Sequence, residues 1–484
     1  MGKVGMSARN EAQLLASTPL IRETTSSAVR DAIALDGRIV VVLDDDPTGT
    51  QTVADVPVLT AWSVPDIRWA LRQGASAVYV LTNSRSLDPS DAAARTREVL
   101  DHVAEAARAE RVGVVVTSRS DSTLRGHFPL ETDVAADCLE EFLGETVDAI
   151  VLVPAYVEAG RVTIDSVHYA RQGADLVPVG ETEFARDASF AYAASDLRDY
   201  VAEKTHGRWA ASQVARITLD DIRVGGAERV AELLAPLHGR QPVVVDATCD
   251  DDLRVVSLGL LAAEGRGQRF VYRSGPSFVR ARAGLDARAA LGADEIRALR
   301  RVSTTCVHGL VVVGSHVSMS TRQLNALLGE EGIRALDVDV PSLLRPDERE
   351  ARISDVVATA VASLADVDVV VGTSRELTRG ADAQESLAIA RAVSSALSEI
   401  VRRVVAQVTP SWVVAKGGIT SSDVATEGLG IRRAWARGTL LPGIISLWEP
   451  VVETGDPIPY VVFAGNVGDE RSLVNVVQTL RESV

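Results

Sequence analysis

The sequence predicts an α/β protein of two domains, each with a largely parallel sheet flanked by helices. Three observations predict it. The chain has 484 residues, whereas one hydrophobic core stops growing at roughly 250–300, so more than one domain is expected. Short runs of β-branched residues recur, unbroken by polar positions, as strands covered on both faces require. Amphipathic stretches such as Asp133–Leu143 and Thr321–Leu328 separate those runs, and alternating strands and helices build α/β layers.

Residues 1–35, rich in Ser and Ala at their start, read as an N-terminal extension. The first domain is expected over 36–275, with strands at Ile39–Leu43, Ala77–Leu81, Val112–Val116, Ala149–Val153, Val243–Val245 and Phe270–Tyr272. Arg273-Ser274-Gly275-Pro276 then opens a polar, Arg- and Ala-rich stretch, so 276–305 reads as a linker region. The second domain is expected over 306–484, with strands at Leu310–Val313, Val369–Val371, Trp412–Ala415 and Tyr460–Phe463.

The composition excludes several function classes. A formal net charge of −16 argues against a nucleic-acid partner, since phosphate backbones call for broad basic surfaces. An anionic small ligand would need local arginines or helix N-termini. Lys3, Lys204 and Lys416 are the only lysines, and Lys416 stands directly before a glycine pair. No run approaches the ~20 apolar residues of a membrane helix, and no secretory pattern opens the chain. Cys138, Cys249 and Cys306 are widely spaced and form no CxxC pair, so a soluble protein of the reducing cytoplasm is expected. There is no GxxxxGK[ST] loop, no strand-linked GxGxxG, no HExxH or His/Cys cluster at metal spacing, and no GxSxG elbow. No protein-held metal is therefore predicted.

Ligands of open α/β sheets bind outside the carboxyl ends of the strands, so the residues after each strand are the candidates. Asp44-Asp45-Asp46-Pro47-Thr48-Gly49 follows the first. Three adjacent carboxylates repel one another, and one of them could orient or deprotonate a hydroxyl; an acidic turn would use the same residue types. Arg85 follows the second strand and could grip a carboxylate, or stand as a surface arginine. Thr117–His127 follows the third. Arg119 and Arg125 suit a carboxylate, and Asp121, Ser122 and Thr123 suit sugar hydroxyls, around a turn at Gly126. Pro154–Arg161 adds Glu158 and Arg161.

In the second half, Gly314-Ser315 links a strand to a helix, with Ser320 and Gln323 at capping-box spacing. Lys416-Gly417-Gly418-Ile419-Thr420 and Gly465-Asn466-Val467-Gly468 follow two further strands. His127 and His316 also lie in candidate loops. Paired glycines admit close backbone approach, and hydroxyls bond phosphate. Three such segments favour a nucleotide site.

Taken in order, these segments resemble the four-carbon acid sugar kinase family over roughly residues 38–480. Asp45–Gly49 is similar to its Asp-Asp-x-Thr-Gly, Asp121–Gly126 to its Asp-Ser-Thr-Leu-Arg-Gly, and Pro154–Arg161 to its Pro-Ala-x-x-Glu-Ala-Gly-Arg. Gly314-Ser315, Gly417–Thr420 and Gly465–Gly468 are similar to its later Gly-Ser, Gly-Gly-x-Thr and Gly-Asn-x-Gly. The chain departs from the pattern at Thr52, where the family often has Asp, and at Ser118 and Arg119, where it often has lysines.

The resemblance implies a sugar-acid domain, then an ATP domain, with the active site in the interdomain cleft. It implies transfer of the ATP γ-phosphoryl group, with Mg²⁺, to the terminal hydroxyl of threonate, erythronate or a 3-oxo-tetronate. Asp45, Asp46 and Asp121 are the expected catalytic residues. Arg85, Arg119, Ser122, Thr123, Arg125 and Gly126 are expected on the substrate, and Ser315, Gly417, Gly418, Ile419, Thr420 and Gly465 on ATP. The alternatives are a kinase for another small hydroxy acid, or a nucleotide-dependent binding or regulatory protein without catalysis. The reading allows a homodimer.

Overall fold

The structure is a computed structural model that describes residues 8–299, 306–315, 317–374, 383–441, 443–453, 456–465 and 467–484. His316, Asn466 and residues 300–305 of the expected linker region lie outside the described residues. The chain divides into two compact units, Met1–Gly49 with Trp62–Ala287, and Thr50–Ala61 with Arg288–Val484. Within 276–305, Pro276–Arg282 is a buried helix of the first unit, and Ala293–Leu299 is a helix of the second.

The first unit is built on a parallel sheet of β1 (Ile39–Asp44), β2 (Ala77–Leu81), β3 (Val114–Arg119), β4 (Ala149–Val153), β5 (Ala215–Ile217), β6 (Gln241–Val245) and β7 (Phe270–Ser274). Their order is β5-β6-β4-β7-β3-β1-β2. Val40, Val41 and Val42 of β1 are all buried, which explains the continuous apolar runs: both faces are covered, so no polar alternation appears. Helix Pro89–Glu110 shows how the covering is made. Proline stands in its first turn, and Ala92, Thr96, Val99, Val103 and Ala107 bury one stripe at helical spacing. Arg111 ends it in the left-handed conformation at φ 59°.

A second, antiparallel sheet of this unit was not expected. It joins Arg9–Asn10, Arg161–Ile164, Val167–Gln172 and Asp175–Pro178. Its hairpin turns at Asp165 (φ 51°) and Ser166 (φ 69°). The amides of both turn residues donate to the Asp246 carboxylate at 2.8 Å, which offsets the strain of two non-glycine residues at positive φ.

The second unit carries β8 (Leu310–Val313), β9 (Ile333–Val338), β10 (Asp368–Thr373), β11 (Val413–Lys416) and β12 (Tyr460–Phe463). They lie parallel in the order β12-β11-β8-β10-β9. An antiparallel arm of Ile445–Pro450, Arg433–Leu441 and Val56–Leu59 extends from β12. Val56–Leu59 thus lies far in sequence from its neighbours. Its segment is held by Trp448, whose indole N–H donates to Thr50 Oγ1 at 2.9 Å, and by the Gln51 amide on Ile444 O at 2.8 Å. Val311, Val313, Val414, Val461 and Phe463 form the core beneath helices Ser318–Leu328 and Ser472–Glu482. No described helix is long and apolar enough to cross a membrane.

Candidate functional site

In the first unit, β1 lies between β2 and β3, and the register sets Asp44 level with Leu81 on one side and Arg119 on the other. The chain leaves β1 toward β2, so the carboxyl ends of β1 and β3 form a topological switch point, where open α/β sheets bind ligands. The structure brings Asp44–Asp46, Arg85 and Arg119–Gly126 together there.

Each of the three consecutive carboxylates has its own partner. Asp44 is buried, with Arg119 Nη1 at 2.9 Å from Oδ1. Asp45 takes Arg85 Nη2 at 2.6 Å and Nε at 3.1 Å. Asp46 accepts the Thr48 amide at 2.9 Å and lies 3.3 Å from Arg85 Nη1. Their protonation behaviour divides accordingly. Burial, with Asp45 and Asp46 close by, pushes the Asp44 carboxyl up to about 7 against the pull of Arg119. Burial raises Asp45 as well, against the pull of Arg85. Burial would also raise Asp46, but Arg85 and the Thr48 bonds prevail and hold it below the ordinary range.

Asp121, after β3, bonds the Thr123 hydroxyl and Arg125 Nε, the latter at 2.6 Å. Its burial is overcome by Arg85 and Arg125, so it stays well below the carboxylate range and ionised. Arg85 therefore serves three carboxylates at once, Asp45, Asp46 and Asp121. Gly126 has φ 118°, and a Cβ there would fall 2.6 Å from Arg273 Nη2 and 3.0 Å from Asp45 Oδ2. Only glycine lets the loop close over that pair.

The loop itself is tied from behind. His168 Nε2–H donates to Ser122 O at 2.8 Å, Tyr192 OH to Thr123 O at 2.6 Å and Tyr200 OH to Leu124 O at 2.9 Å. All three donors are buried. Burial drives the His168 imidazole down to about 4, so it is neutral near pH 7, with Nδ1 accepting from Thr163 Oγ1 at 2.8 Å.

In the second unit, Val313, Lys416 and Phe463 are paired in register at the carboxyl ends of β8, β11 and β12. The segments that follow therefore converge. A Cβ on Gly314 would meet Thr420 Oγ1 at 2.2 Å, one on Gly465 would meet Ser315 Oγ at 2.8 Å, and one on Gly417 would meet Ser315 Cβ at 3.1 Å. Gly417 has φ 122°. The result is a cradle of glycine backbone and hydroxyls, of the chemistry that phosphates take. Gly418 opens helix Gly418–Asp423; Thr420 is buried in it, while Ile419 is exposed. Among the described residues, no group of three or more His, Cys, Asp or Glu is arranged to hold a metal ion.

Ser320 and Gln323 differ from their expected capping role. The helix begins at Ser318 after Val317. Both side chains are buried and reach the last loop instead, Ser320 Oγ to Gly465 O at 2.8 Å and Gln323 Nε2 to Asp469 O at 2.6 Å. Lys416 is fully buried, with Nζ 2.9 Å from Ala464 O and 3.7 Å from the centre of the Phe463 ring. His127 bonds the Ser84 and Leu87 carbonyls at 3.1 Å.

The sequence reading missed Arg273 and Glu131, a buried pair 2.7 Å apart that also engages Ser118 at 2.8 Å from Arg273. Arg273 stands one residue before the end of β7, level with Ser118 of the adjacent β3, so reading that strand for its end rather than for a domain boundary would have found it. His168, Tyr192 and Tyr200 left no local signal, because they act on a loop distant in sequence.

A model of a sugar-binding N-terminal domain matches residues 40–282, and a model of a nucleotide-binding C-terminal domain matches residues 310–473. Fold and matches define a two-domain α/β protein made of a sugar-binding-type N-terminal domain and a nucleotide-binding-type C-terminal domain. The chain belongs to the sugar-binding N-terminal domain family, joined to a nucleotide-binding C-terminal domain.

Solved structures share the fold. A Salmonella typhimurium LT2 protein, provisionally named a tRNA synthase, is 18% identical, with a TM-score of 0.64 over 90% of this chain and 98% of its own. A Haemophilus influenzae protein from a family of unknown function is also 18% identical, with a TM-score of 0.61 over 91% of this chain and 99% of its own. No curated protein matches the chain.

Proposed function

We propose that this protein is an ATP-dependent kinase that phosphorylates the terminal hydroxyl of a four-carbon acid sugar: threonate, erythronate or a 3-oxo-tetronate. The observation that carries the reading is the charge pattern at the β1/β3 switch point of a sugar-binding unit. There Arg85 joins a carboxylate raised by burial, Asp45, to two held ionised, Asp46 and Asp121. Carboxylates whose environments drive their pKa values apart can divide proton transfer from hydroxyl orientation.

In this reading Asp121 and Asp46 accept hydrogen bonds from substrate hydroxyls and fix the attacking one. Asp45, the more basic carboxylate, takes the proton that the hydroxyl releases. Arg85, Arg119 and Arg125 keep the anionic cluster neutralised, and Ser122, Thr123 and the Gly126 backbone line the sugar. Ser315, Gly417, Gly418, Ile419, Thr420 and Gly465 hold the nucleotide, whose close approach the glycine contacts support. ATP would supply the phosphoryl group, and Mg²⁺ held by its phosphates would neutralise the charge that develops. Mg²⁺ keeps several waters and binds largely through phosphate oxygens, so it would fit a cradle of hydroxyls and glycine backbone. Cytoplasmic residence and a homodimer belong to the same reading.

The test is a pair of conservative variants. Asp45→Asn and Asp121→Asn should each lower turnover by about 10²–10⁴-fold, the usual scale of general acid–base catalysis, with ADP affinity unchanged. Full activity in both would sink the assignment.

A further inference from the structure

Four arginines at the switch point are already committed to this chain's own carboxylates. Arg85 serves Asp45 and Asp46, Arg119 serves Asp44, Arg125 serves Asp121, and Arg273 serves Glu131. Arg161 differs. It opens the strand Arg161–Ile164, where its backbone exchanges two hydrogen bonds with Tyr156 at 2.9 and 3.0 Å. Its Nη1 donates to the Ala159 carbonyl. Its Nε is buried and has no hydrogen-bond partner. Among the described residues it forms no ion pair.

The surroundings of Arg161 favour an anion. Its guanidinium lies 5.8 Å from the centre of the Phe184 ring, and that of Arg125 lies 5.2 Å from the same ring. Two cations thus share one aromatic ring. Burial, with Arg125 and Arg171 nearby, lowers the Arg161 pKa against the pull of Asp121. A buried donor left unsatisfied is costly, and a planar carboxylate is the partner that the guanidinium fork matches.

We propose that Arg161, beside Arg125 at the Phe184 ring, takes the carboxylate of the substrate and so selects hydroxy acids over neutral polyols. The inference rests on the sugar-acid reading above for the ligand class. It moves the carboxylate contact from the arginines already paired to the one that is not. Asp121, which Arg125 and Thr123 hold ionised, is then left to the hydroxyls.

The experiment compares Arg161→Gln and Arg161→Lys with the wild-type full chain. It measures the KM and kcat of threonate and erythronate, and calorimetric Kd values for both acids and for threitol and erythritol. Arg161→Gln should weaken acid binding by about 10–100-fold, the scale of a charge-assisted pair. It should leave polyol affinity nearly unchanged. Arg161→Lys should recover part of the acid affinity, because it keeps the charge without the fork. Equal weakening toward acids and polyols, or no change toward either, overturns the proposal. Should the Gln variant fail to fold, the acid-to-polyol ratio of the Lys variant decides. A wild-type protein that binds an acid without phosphorylating it refutes the kinase reading, while the Kd values still judge Arg161. A wild-type protein that binds none of the four compounds refutes both.

Discussion

Asp44, Asp45 and Asp46 are one residue type in three environments, and identity alone could not separate them. Their place after a strand was legible in the sequence, and so was their repulsion. Which guanidinium answers which carboxylate was not, because Arg85 and Arg119 arrive from other strands. Gly126→Ala should lose acid affinity, since a Cβ meets Arg273 and Asp45 at a backbone φ of 118°; calorimetry of threonate checks it. Lys416 was legible as an oddity, and its burial gives it a pH signature. Desolvation lowers it to about 7, whereas an unfolded lysine titrates near ~10.4. Between those values the unfolded chain binds a proton that the folded chain does not. Stability therefore rises with pH over that window. Urea unfolding from pH 7 to 9.5 should show the wild type gaining stability relative to Lys416→Met; parallel profiles would contradict it.

At the scale of elements, the parallel strands were legible because burial on both faces leaves an uninterrupted apolar run. Ala77–Leu81, Ala149–Val153 and Leu310–Val313 have the bounds the sequence suggested. The sheet containing Arg161–Ile164 and Val167–Gln172 was not, since its strands are short and its hairpin turns on Asp165-Ser166 rather than on a glycine pair. Yet that part of the fold brings His168 to the Asp121–Gly126 loop, where it joins Tyr192 and Tyr200 on three successive carbonyls. The loop needs such ties, because Leu124 sits at φ 69°, a conformation that disfavours leucine. Tyr200→Phe removes one donor and leaves Leu124 O unpaired, which should cost about 1–3 kcal/mol and raise KM for the acid. Thermal unfolding and steady-state kinetics measure the two effects. A lower melting temperature with unchanged KM would mean that the tie serves stability alone.

For the whole molecule, length and the alternation of strands with helices were enough to expect two α/β units. They could not reveal that Thr50–Ala61 leaves the first unit to serve the second. Strand pairing over hundreds of residues has no local pattern, and Val56–Leu59 finds its partner at Arg433–Leu441. A fragment starting at Arg288 would lack that strand and expose an unpaired edge. It should show no cooperative urea transition, whereas the intact chain should. The division of labour between the units is the central claim, and a substrate panel tests it most directly. The full chain, ATP and Mg²⁺ are incubated with threonate, erythronate and 3-oxo-tetronates, and the products are followed by phosphorus NMR. The account predicts ADP and one new phosphomonoester on the terminal carbon of at least one acid. ADP binding without transfer to any hydroxy acid would contradict it and leave a nucleotide-dependent binding protein in its place.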